Sequence, residues 1–209
     1  MSGGPDAWVR VRACPGPAAD AEPLAAALLE AGGRAIEEEP GLAFGTGSHG
    51  TTRGALRLLE PVAPGAEAVL DIGTGTGILA IAALRPGAGG ALGLDPSEDA
   101  VEVARRNARG PGVGGRFEAE RLAVDASVLR LLAPMRFDVV LANIDGPTLE
   151  PLLVPMRDLL SGKGAAVVAG ILEREVSVFR DSPAEAGWRV EEEVVDEGWW
   201  AARLRPARP

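Results

Sequence analysis

The apolar positions of this chain change period several times, and each change marks an element. "AWVRVRA" (residues 7–13) alternates, with Val9, Val11 and Ala13 on one face and Trp8, Arg10 and Arg12 on the other, as in a half-buried strand. Asp20 to Ala31 places Leu24, Leu28 and Ala31 at helical spacing, and Gly32 and Gly33 stop the helix. "RAIEEE" (34–39) supplies a second strand before Pro40, with its glutamates solvated. Residues 1–40 therefore predict a small strand-helix-strand unit, too small to be stable alone.

From Thr51 onward apolar strands alternate with helical stretches, the pattern of a parallel sheet with crossovers. "AVLDI" (68–72) leads through glycines into "ILAIAAL" (78–84), and "ALGLD" (91–95) leads into "SEDAVEVARRNA". In that second helix Ser97 is a natural N-cap, and Glu98 and Asp99 suit the positive helix end. Between 111 and 126 a strand fits either "RFEAE" or "RLAV". "FDVVLAN" (137–143) is a near-continuous apolar run, as expected of a strand covered on both faces. A helix around 149–160, a strand in "GAAVVAGI" (164–171) and a helix from about Glu173 follow. "WRVEEEVV" and "WWAARLR" flank "DEG" and predict an antiparallel hairpin at the sheet edge. The fold class is α/β: a doubly wound, mostly parallel, seven-stranded Rossmann-like sheet with an antiparallel C-terminal hairpin and the small N-terminal appendage.

Composition narrows the function classes. The 209 residues carry a formal net charge of −9, which repels phosphate backbones and favours a cationic substrate over nucleic acid. One cysteine and one histidine exclude a disulfide framework and argue against a protein-held transition metal. No apolar run has the length of a membrane span, and the first residues lack a signal pattern, so a cytoplasmic protein without membrane partners is expected.

Ligands of doubly wound sheets sit beyond the carboxyl ends of the strands. Gly73, Gly75 and Gly77 follow "AVLD" there, and glycine permits close backbone approach. The dinucleotide fingerprint would place glycine at position 78, where this chain has Ile78, and Asp71 puts negative charge where a pyrophosphate would dock. Both features oppose a nicotinamide oxidoreductase and suit a ligand bearing an ammonium and a sulfonium. Asp95, at a strand end 22 residues after Gly73, has the place of a carboxylate that accepts both ribose hydroxyls; an ordinary turn residue before Pro96 is the other reading. Asn143 offers an amide at a strand end that can aim an amine, or a cap for the helix near Gly146 and Pro147. Thr51 and Thr52 read equally as ligand contacts or as N-caps of "RGALRLLE", and His49 as a residue shaping its loop or accepting a proton.

"PGLAFGTGSHGTT", "VLDIGTGTGILAIAAL", "GLDPSEDAVEVARRNA", "DVVLANIDGPTLEPL" and "VVAGIL" together resemble the ribosomal protein methyltransferases called PrmA, over about residues 40–205. The resemblance implies an S-adenosylmethionine-dependent N-methyltransferase acting on protein amines, in that family those of large-subunit ribosomal protein L11. It assigns cofactor contacts to Thr52, Gly73, Gly75, Asp95 and Asn143, with Asn143 also positioning the amine, and needs no metal. It makes 41–209 the cofactor-binding domain, in which the block at 41–52 folds over a cofactor that 71–79 supports, and makes 1–40 a shortened recognition unit. Two departures stand out: "ANIDGPTL" replaces the usual "ANILAGPL", which places Asp145 near the acceptor or at a helix cap, and "GSHG" replaces "GTHP". Another protein lysine, a small amine or a noncatalytic cofactor-binding module are the alternative functions.

Overall fold

The computed structural model describes residues 49–179 and 181–207. The expected unit at 1–40 and the glycine-rich stretch 41–48 lie outside the described residues. In chain order the elements are α1 (Gly50–Leu59), β1 (Ala68–Ile72), α2 (Ile78–Leu84), β2 (Gly90–Asp95), α3 (Glu98–Arg109), β3 (Phe117–Arg121), α4 (Ala126–Leu132) and β4 (Phe137–Asn143). There follow α5 (Gly146–Leu149), α6 (Leu153–Leu159), β5 (Leu160–Leu172), α7 (Val176–Phe179), α8 (Asp181–Glu185), β6 (Trp188–Asp196) and β7 (Trp199–Pro206).

The seven strands form one sheet in the order β3-β2-β1-β4-β5-β7-β6. The first five are parallel; β7 runs antiparallel to β5, and β6 antiparallel to β7. The chain winds outward from β1 to β3, then crosses back to place β4 on the other side of β1. That reversal opens a crevice at the carboxyl ends of β1 and β4.

Helices cover both faces because the central strands are apolar on both. Val69, Ala91, Val139, Leu141 and Val167 pack with α1, α2 and α3. Leu70, Leu94, Val140, Val168 and Leu204 pack with α4 to α7. α1 docks Leu56, Leu58 and Leu59, all at 0% exposure, beside Ala201 of β7. At about 1.5–3 kcal/mol for each buried leucine, this contact outweighs any local helix propensity.

Several ambiguities resolve. The strand between 111 and 126 is Phe117–Arg121, in "RFEAE". The helix expected around 149–160 instead starts at Gly146 and is cut by a 3-10 turn, Glu150–Leu152. Pro147, Pro151 and Pro155 account for this, since each removes an N–H from the helical ladder. The hairpin turns at Glu197 (φ 50°) and Gly198 (φ 76°), the paired positive values of a two-residue turn that matches strand twist.

Candidate active site

Asp71 of β1, Asp95 of β2 and Asn143 of β4 reach the carboxyl edge of the sheet from neighbouring strands. They share a face as well. Side chains alternate along a strand, and Val69, Ala91 and Leu141, at even spacing from them, all lie on the side covered by α1, α2 and α3. The crevice is therefore roofed by α1 and α2.

The glycine loop between β1 and α2 takes positive φ at Gly73 (69°), Gly75 (53°) and Gly77 (79°), a backbone path that side-chain-bearing residues resist. It is sewn to β2 and α3. Gly73 and Thr74 both donate to the Leu94 carbonyl, at 2.8 and 3.0 Å, and Asn107 Nδ2 donates to the Thr76 carbonyl at 2.9 Å. A side chain at Gly93 would meet Thr74 Oγ1 at 2.7 Å, so the loop lies directly on β2. Asp95 completes the attachment: Oδ2 accepts from the Gly75 N–H and Oδ1 from the Ser97 N–H, each at 2.9 Å. Ser97 in turn caps α3 through the Ala100 N–H. Each Asp95 oxygen keeps a lone pair, and the residue is only half-buried.

Asp71 puts its charge at the start of α2, from beneath the loop. It is 1% exposed and lies beneath the loop, accepting from Thr74 Oγ1 at 2.8 Å and from the Ala80 N–H in the first turn of α2. Burial pushes its carboxyl up to about 6; the Thr74 and Ala80 bonds oppose the shift and the Asp95 charge adds to it. The start of α2, which would otherwise attract an anion, is thus already served by an internal carboxylate.

At the other wall, Thr51 Oγ1 donates to Asn143 Oδ1 at 2.7 Å. Neither threonine caps α1: the N-cap is His49, which makes no side-chain cap bond, and its carbonyl accepts from Thr52 and Arg53. Thr52 is nearly fully buried in the same turn. The His49 ring packs against Trp199 with centroids 4.8 Å apart. Asn143 is not a helix cap, because that position belongs to Asp145, whose carboxylate accepts from the Thr148 N–H and hydroxyl. Gly73 adjoins this wall, since a Cβ there would fall 2.7 Å from Ile144 Cγ2.

Of the five expected site residues, Asp95 and Gly75 are joined by a hydrogen bond; Gly73 lies close to Ile144, the neighbour of Asn143, and Asn143 bonds Thr51, the residue before Thr52. Two concavities elsewhere, one over β3 lined by Arg105, Arg109 and Phe117 and one beside the hairpin lined by Glu173, Val176 and Trp200, contain none of them. Sequence reasoning missed the Thr51–Asn143 bond and the pairing of Arg53 with the hairpin turn. Both join residues more than 90 positions apart and leave no local signal. Among the described residues no cluster of histidine, cysteine or carboxylates has the makings of a metal site, and no helix is long and apolar enough to cross a membrane.

A family model described as ribosomal protein L11 methyltransferase (PrmA) matches residues 24–206. The chain belongs to this family. A PrmA relative named ribosomal protein L11 methyltransferase from Rhodopseudomonas palustris is 41% identical over 167 residues, 78% of this chain and 56% of the relative. One of the same name from Halalkalibacterium halodurans is 36% identical over 166 residues, 79% of this chain and 51% of the relative. The chain spans about half the length of the curated PrmA relatives it matches. Among solved structures, a ribosomal protein L11 methylase from Lactobacillus delbrueckii superposes with a TM-score of 0.70 at 28% identity, covering 83% of this chain and 86% of that one.

Proposed function

We propose that this PrmA-family chain is an S-adenosylmethionine-dependent N-methyltransferase of protein amines. The observation that carries the reading is the convergence, on one face of the carboxyl edge, of a half-buried carboxylate fork at Asp95 and an amide held by Thr51 at Asn143.

The residues fit the cofactor. Asp95 presents two outward lone pairs, already oriented by the Gly75 and Ser97 N–H groups, to a ribose diol. Gly73 and Gly75 bring backbone close without a side chain in the way, and Thr52 lies in the first turn of α1, one residue after Thr51. Asp71 fills the anion-favouring start of α2, which disfavours the phosphates of a dinucleotide and tolerates a cation. When bound, S-adenosylmethionine supplies an electrophilic methyl group on sulfur.

Asn143 carries the positioning chemistry. Its Oδ1 accepts the Thr51 hydroxyl with one lone pair, which fixes the amide plane and leaves the second for an N–H of the incoming amine. Held in this way, a neutral amine keeps its lone pair directed toward the electrophile, and orientation alone lowers the barrier substantially. Asp145 caps the start of α5, accepting from the Thr148 N–H and hydroxyl. Residues 41–209 form the cofactor-binding unit in this reading, and 1–40 a recognition unit. The acceptor is an amine of ribosomal protein L11, methylated in the cytosol.

The test uses the whole chain, methyl-labelled S-adenosylmethionine, purified L11 and, separately, a lysate of cells lacking the gene. Label on L11 amines, located by mass spectrometry, is the expected result. Label on other proteins or small amines would reassign the acceptor. Cofactor binding without transfer would make the chain a binding module. Asn143→Ala should slow turnover while leaving cofactor affinity within about threefold, under 1 kcal/mol; unimpaired turnover would remove Asn143 from the chemistry.

A further inference from the structure

We infer that the β6–β7 turn is a positioning element for this site, acting through Arg53. Asp196 and Glu197 hold the guanidinium, and the guanidinium holds the first turn of α1, with Thr51 and Thr52, over the end of β4. The inference rests on the cofactor reading above and adds to it a residue and a turn that neither the glycine motifs nor Asn143 includes.

Among the described residues the start of α1 lacks the usual local anchors. His49 makes no side-chain cap bond, and the first turn contains no acidic residue to meet the exposed N–H groups. A helix end without such support frays, yet this one carries the hydroxyl that orients Asn143. Tertiary contacts to the hairpin turn replace the anchors. Arg53 Nε donates to Asp196 Oδ2 at 2.7 Å and Nη2 to Asp196 Oδ1 at 2.8 Å, a parallel fork, while Nη2 also lies 3.0 Å from Glu197 Oε2. These hydrogen bonds to two carboxylates hold the guanidinium even more firmly protonated than usual. A Cβ on Gly50 would fall 2.4 Å from the Asp196 carbonyl oxygen, so the turn lies against the helix start with no side chain between them. The His49–Trp199 ring contact closes the other side.

The turn is itself held. Its two residues adopt the left-handed conformations of a tight hairpin, and the Gly198 carbonyl accepts from the Glu173 N–H at 2.8 Å, which ties it to the end of β5. An ordinary surface ion pair contributes little. This one is a bidentate fork whose side chains are 30% and 27% exposed, bridging residues 143 apart, and it converges on the turn that bears the site. Its effect falls on geometry more than on folding stability.

A built-in control separates the two. At the far end of α1, Arg203 Nη1 donates to the Leu58 carbonyl while its Nε and Nη2 pair with Glu191 and Glu192 of β6. Arg203 therefore attaches the same helix to the same hairpin, away from the crevice.

The experiment measures S-adenosylmethionine affinity by calorimetry and melting temperature for the full-length wild type, Arg53→Ala, Asp196→Ala, the double variant, Arg53→Lys and Arg203→Ala. Because the same turn of α1 carries Thr52, the cofactor contact of the reading above, Arg53→Ala should raise the dissociation constant about tenfold; Asp196→Ala should raise it less, since Glu197 still pairs with Arg53, and the double variant no further than Arg53→Ala, which already removes both pairs. Arg53→Lys keeps the charge but not the fork and should recover only part of the affinity. Arg203→Ala should lower the melting temperature and leave affinity within about twofold. Arg53→Ala binding as tightly as wild type would overturn the inference alone, as would an equal loss of affinity in Arg203→Ala at a matched drop in melting temperature. A wild type that fails to bind would overturn the cofactor reading, and this inference with it.

Discussion

Removing the Asp95 carboxylate tests the proposed cofactor geometry most directly, because its two oxygens have separable duties. Toward the protein, they accept the Gly75 and Ser97 N–H groups at 2.9 Å each. Each retains one lone pair, which the proposed geometry gives to a ribose hydroxyl. Hydrogen bonds to a charged acceptor contribute about 1.5–3 kcal/mol when sheltered from water, and less where solvent competes. Asp95 is half-buried, so Asp95→Ala should cost about 1–3 kcal/mol in cofactor binding, roughly 5- to 150-fold in dissociation constant. Calorimetric titration with S-adenosylmethionine measures it.

That loss alone would not distinguish a direct ribose contact from a loosened loop, since the Gly75 N–H also loses its partner. A cofactor analogue lacking the ribose 2′-hydroxyl separates the two. In the wild type the analogue should bind more weakly than the parent; in Asp95→Ala the penalty should shrink toward zero, because the partner is already gone. An equal penalty in both chains would show that Asp95 only shapes the loop. Unchanged affinity for the parent cofactor in Asp95→Ala would refute the ribose assignment outright.

Two further outcomes test the scaffold. Gly73→Ala forces a side chain into φ 69° and places its Cβ 2.7 Å from Ile144 Cγ2, so a stability loss of about 1–3 kcal/mol in urea denaturation is expected. The companion Gly73→Ala/Ile144→Ala removes the clash and should show the Gly73→Ala step costing less; no loss in the single variant would contradict the loop geometry. Asp71 ionises near 6 in the fold against 3.8 for the ordinary side chain, so the folded state binds its proton first as pH falls. Stability contributed by Asp71 therefore rises from pH about 6 down to about 4 and is lost again on raising the pH, by on the order of 2 kcal/mol. Wild-type minus Asp71→Asn unfolding free energy, followed between those limits, should grow more favourable to wild type as pH falls; a flat difference would place the carboxylate in contact with solvent.

The parts of this site that were legible in the sequence are those where an apolar run stops. "AVLDI", "ALGLD" and "FDVVLAN" end at Ile72, Asp95 and Asn143 in the fold as in the pattern, because a strand buried on both faces must lose its apolar character where it meets the crevice. The glycines after β1 were legible for the same reason: a strand that turns at once into a helix needs positive φ. Asp71 shows the limit of that logic. Its position was readable but its burial was not: it shares a face with Asp95 and Asn143, and the glycine loop closes over it, with Thr74 and the Ala80 N–H as its partners. Thr51 and Thr52 were indistinguishable, since either could cap a helix; the choice depends on where α1 starts, and that is set by the docking of Leu56, Leu58 and Leu59 near β7. Nothing in "DEG" announces a partner for Arg53, because the hairpin reaches the crevice only through the insertion of β7 between β5 and β6, an order that no local periodicity encodes. The wall built from strand ends is thus written locally, while the wall built from α1 depends on tertiary contacts. It follows that substitutions in the hairpin turn, far along the chain from the glycine motifs, should disturb Thr51 and Asn143 more than substitutions of exposed residues within α1 itself.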